Sequence, residues 1–118
     1  MSENIDTLEK FEDHHGTMGY HLYDGVYAYT DGIHYLLGAL DSDIKRNALM
    51  RYIVSKMNFR NYFGSFHLMV GKNETKICCY DPDMNIIDET VLWKKCPLTP
   101  GVYKIFCYNY VVLAASEY

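Results

Sequence analysis

The stretch FHLMVGKNETKICCYDPDMNIIDETVLW, residues 66–93, decides the fold class. Its first five residues alternate core-type side chains with others, the period expected of a strand that buries one face. Residues 71–74 (GKNE) and 81–85 (DPDMN) are typical of turns, the second with proline at a permitted corner. We therefore predict a meander of three antiparallel strands. Its second and third strands are expected at Thr75–Tyr80 and Ile86–Trp93.

The remainder of the C-terminal half predicts a hairpin. Residues 96–101 (CPLTPG) are too rich in proline for a central strand and indicate a bend. Apolar and aromatic residues follow at 102–107 and again at 110–115, around a Tyr108-Asn109 turn. We expect these two segments to pair and to close the chain.

The N-terminal half predicts helices and one extended segment. Ser2 is placed to cap a short first helix, and residues 18–30 are typical of extended chain with a turn at Asp24-Gly25. Thr30-Asp31 opens a second helix, and Ser42 caps a third. The expected apolar positions are Ile5, Leu8 and Phe11, then Leu22, Val26 and Ala28, then Ile33, Leu36, Leu37 and Leu40, and last Ile44, Ala48, Leu49, Tyr52, Ile53 and Met57. Helices followed by strands predict an α+β fold, in which N-terminal helices pack on one face of an antiparallel sheet and residues 1–118 form a single domain.

Composition indicates a cytoplasmic globular protein. Hydrophobic residues make up 49% and charged residues 22%, an ordinary globular balance. The apolar runs are shorter than the roughly 18 residues that cross a membrane, and the acidic start differs from a signal peptide. Adjacent Cys78 and Cys79 point to opposite faces of a strand, and no C-x-x-C occurs. We expect the four thiols, at Cys78, Cys79, Cys96 and Cys107, to be reduced and mostly buried.

Charge is distributed very unevenly along the chain. Residues 1–43 hold nine acidic residues and one basic residue, so their net charge is −8. Residues 44–73 hold six basic residues and no acidic one, giving +6, and residues 74–118 carry −2. Charge segregation of this kind indicates either a partner surface or pairing within the chain.

The basic segment is the predicted partner-binding region. Cations next to aromatic rings (Tyr52, Phe59, Tyr62 and Phe63) are typical of a nucleic-acid contact. The same residues equally fit a solvated helix face that is neutralised by the acidic N-terminal segment. The predicted contact residues are Lys45, Arg46, Arg51, Lys56 and Arg60.

The segment FEDHHGTMGYHLYDG, residues 11–25, holds three of the five histidines. Zinc prefers four ligands, but His14 and His15 are adjacent and diverge in either a helix or a strand. His21 follows six positions later. We interpret the segment as a polar connector and predict no metal site and no cofactor.

Catalytic interpretations have less support. Cys96 with a histidine would form a nucleophile–base pair, but it precedes a proline in the predicted bend. An aspartate at a helix start, such as Asp31, is more often a cap than an acid or a base. We expect no enzymatic activity and assign no catalytic residue.

Several short motifs occur in a characteristic order. They are Gly16-Thr17, Tyr20-His21, Thr30-Asp31-Gly32-Ile33-His34-Tyr35-Leu36, Ala48-Leu49-Met50-Arg51-Tyr52-Ile53-Val54-Ser55, Phe66-His67-Leu68, Cys96-Pro97-Leu98 and Ala115-Ser116-Glu117-Tyr118. This order resembles a family of small uncharacterised prokaryotic proteins carried on plasmids, phages and other mobile elements, with a T-D-G-V-x-Y-L motif and a closing L-P-S-E-Y. The chain departs from that pattern in its middle helix, which lacks the tryptophan, and before the terminal S-E-Y, where two alanines replace L-P. The resemblance implies a small mobile-element protein, a class that includes many inhibitors of bacterial defence systems.

These observations favour a non-enzymatic binding protein in the cytoplasm of a bacterial host. The expected partner is a host protein, a nuclease such as a CRISPR effector or its RNA complex. Either the acidic N-terminal region competes for a nucleic-acid channel, or the basic segment contacts the effector or its RNA. The alternatives are a small nucleic-acid-binding accessory protein of a mobile element and a small enzyme of unknown reaction.

We expect the terminal Glu117 and Tyr118 to be structural. Glu117 is expected to pair with a lysine, and Tyr118 is expected to cover the sheet edge.

Overall fold

A computed structural model describes residues 6–57 and 63–118. The helices in these two ranges are α1 (Thr7–Glu12), α2 (Asp31–Ala39) and α3 (Asp43–Met57), and a 3-10 turn covers Ala115–Glu117. The strands are β1 (His21–Leu22), β2 (Ala28–Tyr29), β3 (Phe63–Val70), β4 (Thr75–Tyr80), β5 (Ile86–Trp93), β6 (Gly101–Tyr108) and β7 (Val111–Ala114). The predicted bounds of β4 and β5 are confirmed. No helix in the described ranges is long and apolar enough to cross a membrane.

All of these strands belong to one sheet with the order β1-β2-β7-β6-β3-β4-β5. The meander β3-β4-β5 and the hairpin β6-β7 are antiparallel, and β6 pairs with β3. The short hairpin β1-β2 extends the sheet, because β2 pairs in parallel with β7. The predicted α+β fold is confirmed, with the extended segment 18–30 as an additional part of the sheet.

One face of the sheet forms the core with the helices. Phe66 and Leu68 of β3 and Ile105 of β6 are fully buried in one cluster with Leu36 of α2 and Ile53 of α3. Packing of this kind supplies most of the stability of an α+β fold. The four apolar positions predicted for α2 are all buried, which confirms its orientation.

Three predicted core positions are wrong. Ile44 is 81% exposed, because it lies in the first turn of α3 and the buried stripe of that helix begins five residues later with Leu49 and Met50. Leu22 and Val26 are also exposed. In the β1-β2 hairpin the Asp24 carboxylate accepts hydrogen bonds from the backbone N–H groups of Val26 and Tyr27. The turn that these bonds form directs Tyr27 into the core instead.

The first helix begins at a different cap from the one predicted. Asp6 is the N-cap of α1, and its carboxylate accepts the Glu9 N–H at 3.1 Å. Ser2 and Ile5 lie outside the described residues. A buried hydrogen-bond network anchors the helix to the bend before β6: the Thr7 hydroxyl lies 2.6 Å from the Tyr103 hydroxyl, and Thr7 and Thr99 each donate a backbone N–H to the other's side chain. The first turn of α1 is therefore held by long-range contacts.

Candidate functional site

Two of the predicted contact lysines pair with carboxylates inside the protein. Lys45 Nζ lies 2.7 Å from Asp41 Oδ1, and Lys56 Nζ lies 3.3 Å from Asp88 Oδ2 on β5. Lys56 also stands over the Tyr52 ring, 5.2 Å from its centroid. Each lysine is only partly exposed, and its charge is already matched by a neighbour.

The third contact residue, Arg46, closes the C-terminal end of α2. Its Nε donates to the Leu37 carbonyl at 2.8 Å, and its Nη2 donates to the Leu40 carbonyl at 2.7 Å. Its Nη1 donates to Asp43 at 2.7 Å. The last carbonyls of a helix lack intrahelical donors, so a guanidinium fork is well suited to this position. Arg46 is therefore a structural residue that joins two helices.

The other two contact residues differ in what the structure says of them. Arg51 is exposed, and none of the described carboxylates forms an ion pair with it. Arg60 lies outside the described residues. Of the six basic residues in 44–73, three thus form ion pairs within the chain, namely Lys45, Arg46 and Lys56. Two of their partners, Asp41 and Asp43, belong to the acidic segment, which agrees in part with the interpretation of neutralisation within the chain. The role of these residues in binding a partner stays a prediction.

Tyr52 and Asp88 tie α3 to the edge strand β5. The Tyr52 hydroxyl donates to Asp88 Oδ2 at 2.6 Å. Burial, together with the acceptor, raises the pKa of Tyr52 far above its usual value. The same hydrogen bond lowers the pKa of Asp88. Asp88 is consequently held as a carboxylate between a tyrosine and a lysine.

A second charged surface, which we call the α1 acidic surface, lies on helix α1 and its two caps. It consists of Asp6, Glu9, Glu12 and Asp13, all of them exposed. None of the four forms an ion pair with a cation in the part of the chain that the structure describes. Four carboxylates over eight residues, with Lys10 as the one base among them, give this end of the molecule a strongly negative potential.

The histidines of the segment 11–25 do not meet. His14 Nδ1 lies 2.9 Å from the Lys10 carbonyl, and its ring contacts Tyr35. His15 is exposed, and His21 Nε2 lies 3.1 Å from Asp31 Oδ1. Among the described residues no three His, Cys, Asp or Glu side chains are arranged to hold a metal ion.

His21 instead belongs to an aromatic stack. Its ring lies parallel to that of His34, with 4.1 Å between the centroids, and it also stacks on Tyr29 at 5.2 Å. The Asp31 carboxylate accepts the Met18 N–H at 2.8 Å as well as facing His21, and this backbone hydrogen bond is the main cause of its lowered pKa. The sequence predicted Asp31 as a cap of α2, but its side chain holds the preceding loop.

A cleft of about 510 Å³ lies beside this stack, between the β1-β2 hairpin and the two long helices. Tyr29, His34 and Arg46 are among its lining residues. Arg46 uses three of its nitrogen atoms on protein acceptors, so it has little capacity left for an anionic ligand. The cleft therefore presents aromatic and polar side chains to a ligand, but the guanidinium in its lining is already bound by the protein.

Two of the short motifs, T-D-G at residues 30–32 and S-E-Y at residues 116–118, come together at the start of α2. The Glu117 carboxylate accepts the Thr30 hydroxyl at 2.6 Å, the Gly32 N–H at 3.1 Å and the Ala114 N–H at 3.0 Å. Thr30 itself makes no side-chain capping bond, so Glu117 supplies the cap from the other end of the chain. The structural role predicted for Glu117 is confirmed, but its partner is a helix N-terminus and not a lysine. Glycine at position 32 leaves room for this contact, because a Cβ there would lie 2.8 Å from the Glu117 Cδ and would displace the carboxylate.

The sheet face opposite the core is uncovered by any described helix, and we call it the open sheet face. Aromatic rings occupy one end of it, where Phe63 and Phe106 lie 5.1 Å apart and Tyr118 packs edge-on against both. Tyr118 therefore lies on the face of the sheet and not at its edge. Sequence reasoning missed this face. The available signal was that β3 and β6 carry apolar or aromatic residues on both sides, which is unusual for a strand with one side in water.

The thiols are those of a packed interior. All four cysteines are free, and three of them are buried. Burial raises the pKa of Cys107 to about 12. Cys96 is half-buried, with its sulfur 3.4 Å from the Thr75 hydroxyl. A reactive thiolate needs nearby positive charge and a lowered pKa, which burial of this kind opposes.

The α1 acidic surface, whose carboxylates form no ion pair among the described residues, and the open sheet face, which no described helix covers, are thus two surfaces that a partner could reach. The family resemblance and the binding function stay predictions. No protein-family model, no curated protein and no solved structure matches the chain.

Proposed function

We propose that the protein is a non-enzymatic binding protein that acts in the bacterial cytoplasm by occupying a host macromolecule. The target class is a defence nuclease such as a CRISPR effector, which is the class that the motif resemblance suggests. The contact we propose is the α1 acidic surface, placed in a channel of the effector that otherwise holds nucleic acid.

The observation that carries this choice is the contrast between the two charged segments. Lys45, Arg46 and Lys56 bind carboxylates and carbonyls of their own chain. A partner that recruited them would first have to break those contacts. Among the described residues, none of the α1 carboxylates forms an ion pair, although Asp6 accepts the capping hydrogen bond from the Glu9 N–H. This surface can therefore meet a cationic partner without breaking an ion pair.

Nucleic-acid channels supply the complementary chemistry. They are lined by lysine and arginine that neutralise phosphates, and the resulting field attracts any clustered anion. Glu9 and Glu12 project from adjacent positions of one helix turn, since residues three apart are neighbours on a helix surface. A rigid row of carboxylates can occupy phosphate positions, and binding of this kind weakens as salt rises, because exposed charges are screened over about 8–10 Å.

The test uses a purified effector, its cleavage assay and two charge-matched double variants. Glu9→Gln with Glu12→Gln removes two carboxylates from the α1 acidic surface. Glu74→Gln with Asp83→Asn removes two exposed carboxylates of the turns around β4 and changes the net charge equally, and Lys76 keeps Glu89 as a partner when Glu74 is replaced. We expect the first pair to weaken binding and inhibition about tenfold or more and the second to leave both within about twofold, since each charged contact contributes about 1 kcal/mol or more.

Two outcomes would overturn the proposal at different levels. Equal loss in both double variants would show that net charge and not the α1 acidic surface decides binding. Absence of binding by the unaltered protein to any tested nuclease effector, with or without its guide RNA, would refute the target class.

A further inference from the structure

The open sheet face is organised in cross-strand rows, which the strand registers define. The central row runs from Lys104 on β6 through His67 on β3 and Cys78 on β4 to Glu89 on β5. It therefore has a cation at one end and a carboxylate at the other. Because burial and the adjacent Lys104 lower the pKa of His67, the histidine between them is neutral at pH 7.

Two outer rows, each with apolar residues at both ends, lie on either side of this central row. One runs from Phe106 of β6, against which Tyr118 packs, through Ser65 and Tyr80 to Ile86 of β5. The other runs from Val102 of β6 through Met69 and Lys76 to Val91 of β5. Ile86 is 57% exposed and Val91 is 52% exposed, so this apolar surface is in contact with water in the single chain. Large exposed apolar patches mark interaction sites.

The pattern is complementary to itself. Consider a second copy whose open sheet face meets that of the first. A two-fold axis that is parallel to the strands, lies midway between the two sheets and passes above the gap between β3 and β4 places β6 of one copy opposite β5 of the other. It places Lys104 of one copy opposite Glu89 of the other, twice per pair. The same operation places Phe106 opposite Ile86 and Val102 opposite Val91. Two sheets that pack face to face lie about 10 Å apart with nearly aligned strands, and this spacing lets the side chains of both faces meet.

Other occupants fit the charges less well. Among the described residues the cations of the face are Lys76 and Lys104, and Lys76 already lies 3.3 Å from Glu74 and 3.6 Å from Glu89. Nucleic acid requires an excess of cations along its phosphates, and the described part of this face has no excess. Lys76 can keep its closer partner Glu74 when Glu89 meets a lysine of a second copy.

We propose that the protein forms a two-fold symmetric dimer through its open sheet face, with Lys104 of each copy paired to Glu89 of the partner subunit. Cyclic two-fold dimers are the commonest symmetric assemblies, and their interface is made by the same patch on both copies. The apolar ends of the two outer rows supply the buried area, and the two Lys104–Glu89 pairs fix how one sheet is placed on the other. This surface is separate from the α1 acidic surface, so the two proposals can fail independently.

The experiment is a charge swap followed by sedimentation equilibrium. Lys104→Glu places glutamate against Glu89 at both ends of the interface, and Glu89→Lys places lysine against Lys104. Each variant alone is expected to raise the dimer Kd about tenfold or more, because a like-charge pair replaces an attractive pair twice. Lys95→Glu, which makes the same charge change on an exposed lysine of the bend before β6, should leave the Kd within about twofold.

Mixing the two single variants gives the decisive measurement. In a heterodimer of Lys104→Glu with Glu89→Lys, both contacts are again between a glutamate and a lysine, so heterodimers should form with a Kd near that of the unaltered protein. Loss of folding cannot imitate this rescue. The proposal is overturned if the unaltered protein is monomeric at about 100 µM, a concentration that any specific micromolar dimer would populate. It is equally overturned if the single variants dimerise normally or if their mixture yields no heterodimer.

Discussion

The contact between Glu117 and the start of α2 allows a sharp test of how the chain termini stabilise the fold. Glu117→Ala removes the acceptor of three hydrogen bonds, from the Thr30 hydroxyl and from the N–H groups of Gly32 and Ala114. Loss of a helix cap costs about 1 kcal/mol. Each hydrogen bond to a charged group contributes about 1.5 kcal/mol at the low end that suits a half-buried carboxylate, and the buried Thr30 hydroxyl is left without its acceptor. With the Gly32 bond at the cap value and the other two at about 1.5 kcal/mol each, the upper limit is about 4 kcal/mol, and we expect the free energy of unfolding to fall by about 2–4 kcal/mol.

Urea denaturation of the purified variant measures this change, and thermal melting should show a fall in Tm of about 8–15 °C for a chain of this size. Glu9→Gln, which removes an exposed carboxylate, is the control and should change stability by less than about 0.5 kcal/mol. Thr30→Val should couple to Glu117→Ala by at least about 1 kcal/mol in a double-mutant cycle, because the two side chains share a hydrogen bond.

Gly32 provides a second test of the same contact. In the unaltered protein Gly32→Ala should destabilise, since the new Cβ collides with the Glu117 carboxylate. In the Glu117→Ala background the carboxylate is gone and the Ala114 Cβ, 3.1 Å from the added Cβ, is the tight contact that remains, so Gly32→Ala should cost less stability there than in the unaltered protein. Two results would refute the capping role of Glu117. One is additivity of Thr30→Val and Glu117→Ala in the double-mutant cycle, and the other is a fall of less than about 1 kcal/mol in the free energy of unfolding for Glu117→Ala.

Three further predictions concern other contacts. Arg46→Lys should lower the free energy of unfolding by about 1–2 kcal/mol in urea, because a single ammonium cannot replace a guanidinium fork that binds two carbonyls and a carboxylate. Asp88 has a lowered pKa in the folded state, so its stabilising contribution is present above its unfolded pKa near 4 and is lost as pH falls through the folded pKa. Between pH 6 and pH 2.5 a Tyr52→Phe variant should therefore lose less stability than the unaltered protein. An equal loss would contradict the hydrogen bond from Tyr52 as the cause of the lowered pKa of Asp88. Under native conditions Cys96 should react with a thiol reagent before Cys107, and mass spectrometry of the labelled protein distinguishes the two orders.

The local elements were predictable because their signals are local. The turns at 71–74 and 81–85 bound β4 on both sides, so its two ends could be predicted from turn residues alone. The spacing of Ile33, Leu36, Leu37 and Leu40 likewise defines the buried side of α2. Where a local turn competes with the period, prediction failed: the Asp24 turn directs Tyr27 inward where Val26 was expected.

The sites were less predictable because they join residues that are distant in sequence. Charge counting along the chain showed an acidic and a basic segment but not which charges were already satisfied. Arg46 binds carbonyls six and nine residues earlier, and Lys56 reaches Asp88 across the fold. These contacts, invisible in composition, shift the favoured partner surface from the basic segment to α1.

The sequence by itself determined the α+β class, the meander and the faces of α2, since hydrophobic periodicity and turn chemistry act over a few residues. Only the tertiary structure decided that Glu117 caps α2 by accepting the N–H of Gly32, 85 residues earlier in the chain, and that Lys104 and Glu89 end one cross-strand row. Such contacts depend on strand order and register, and these are set by the packing of the whole sheet.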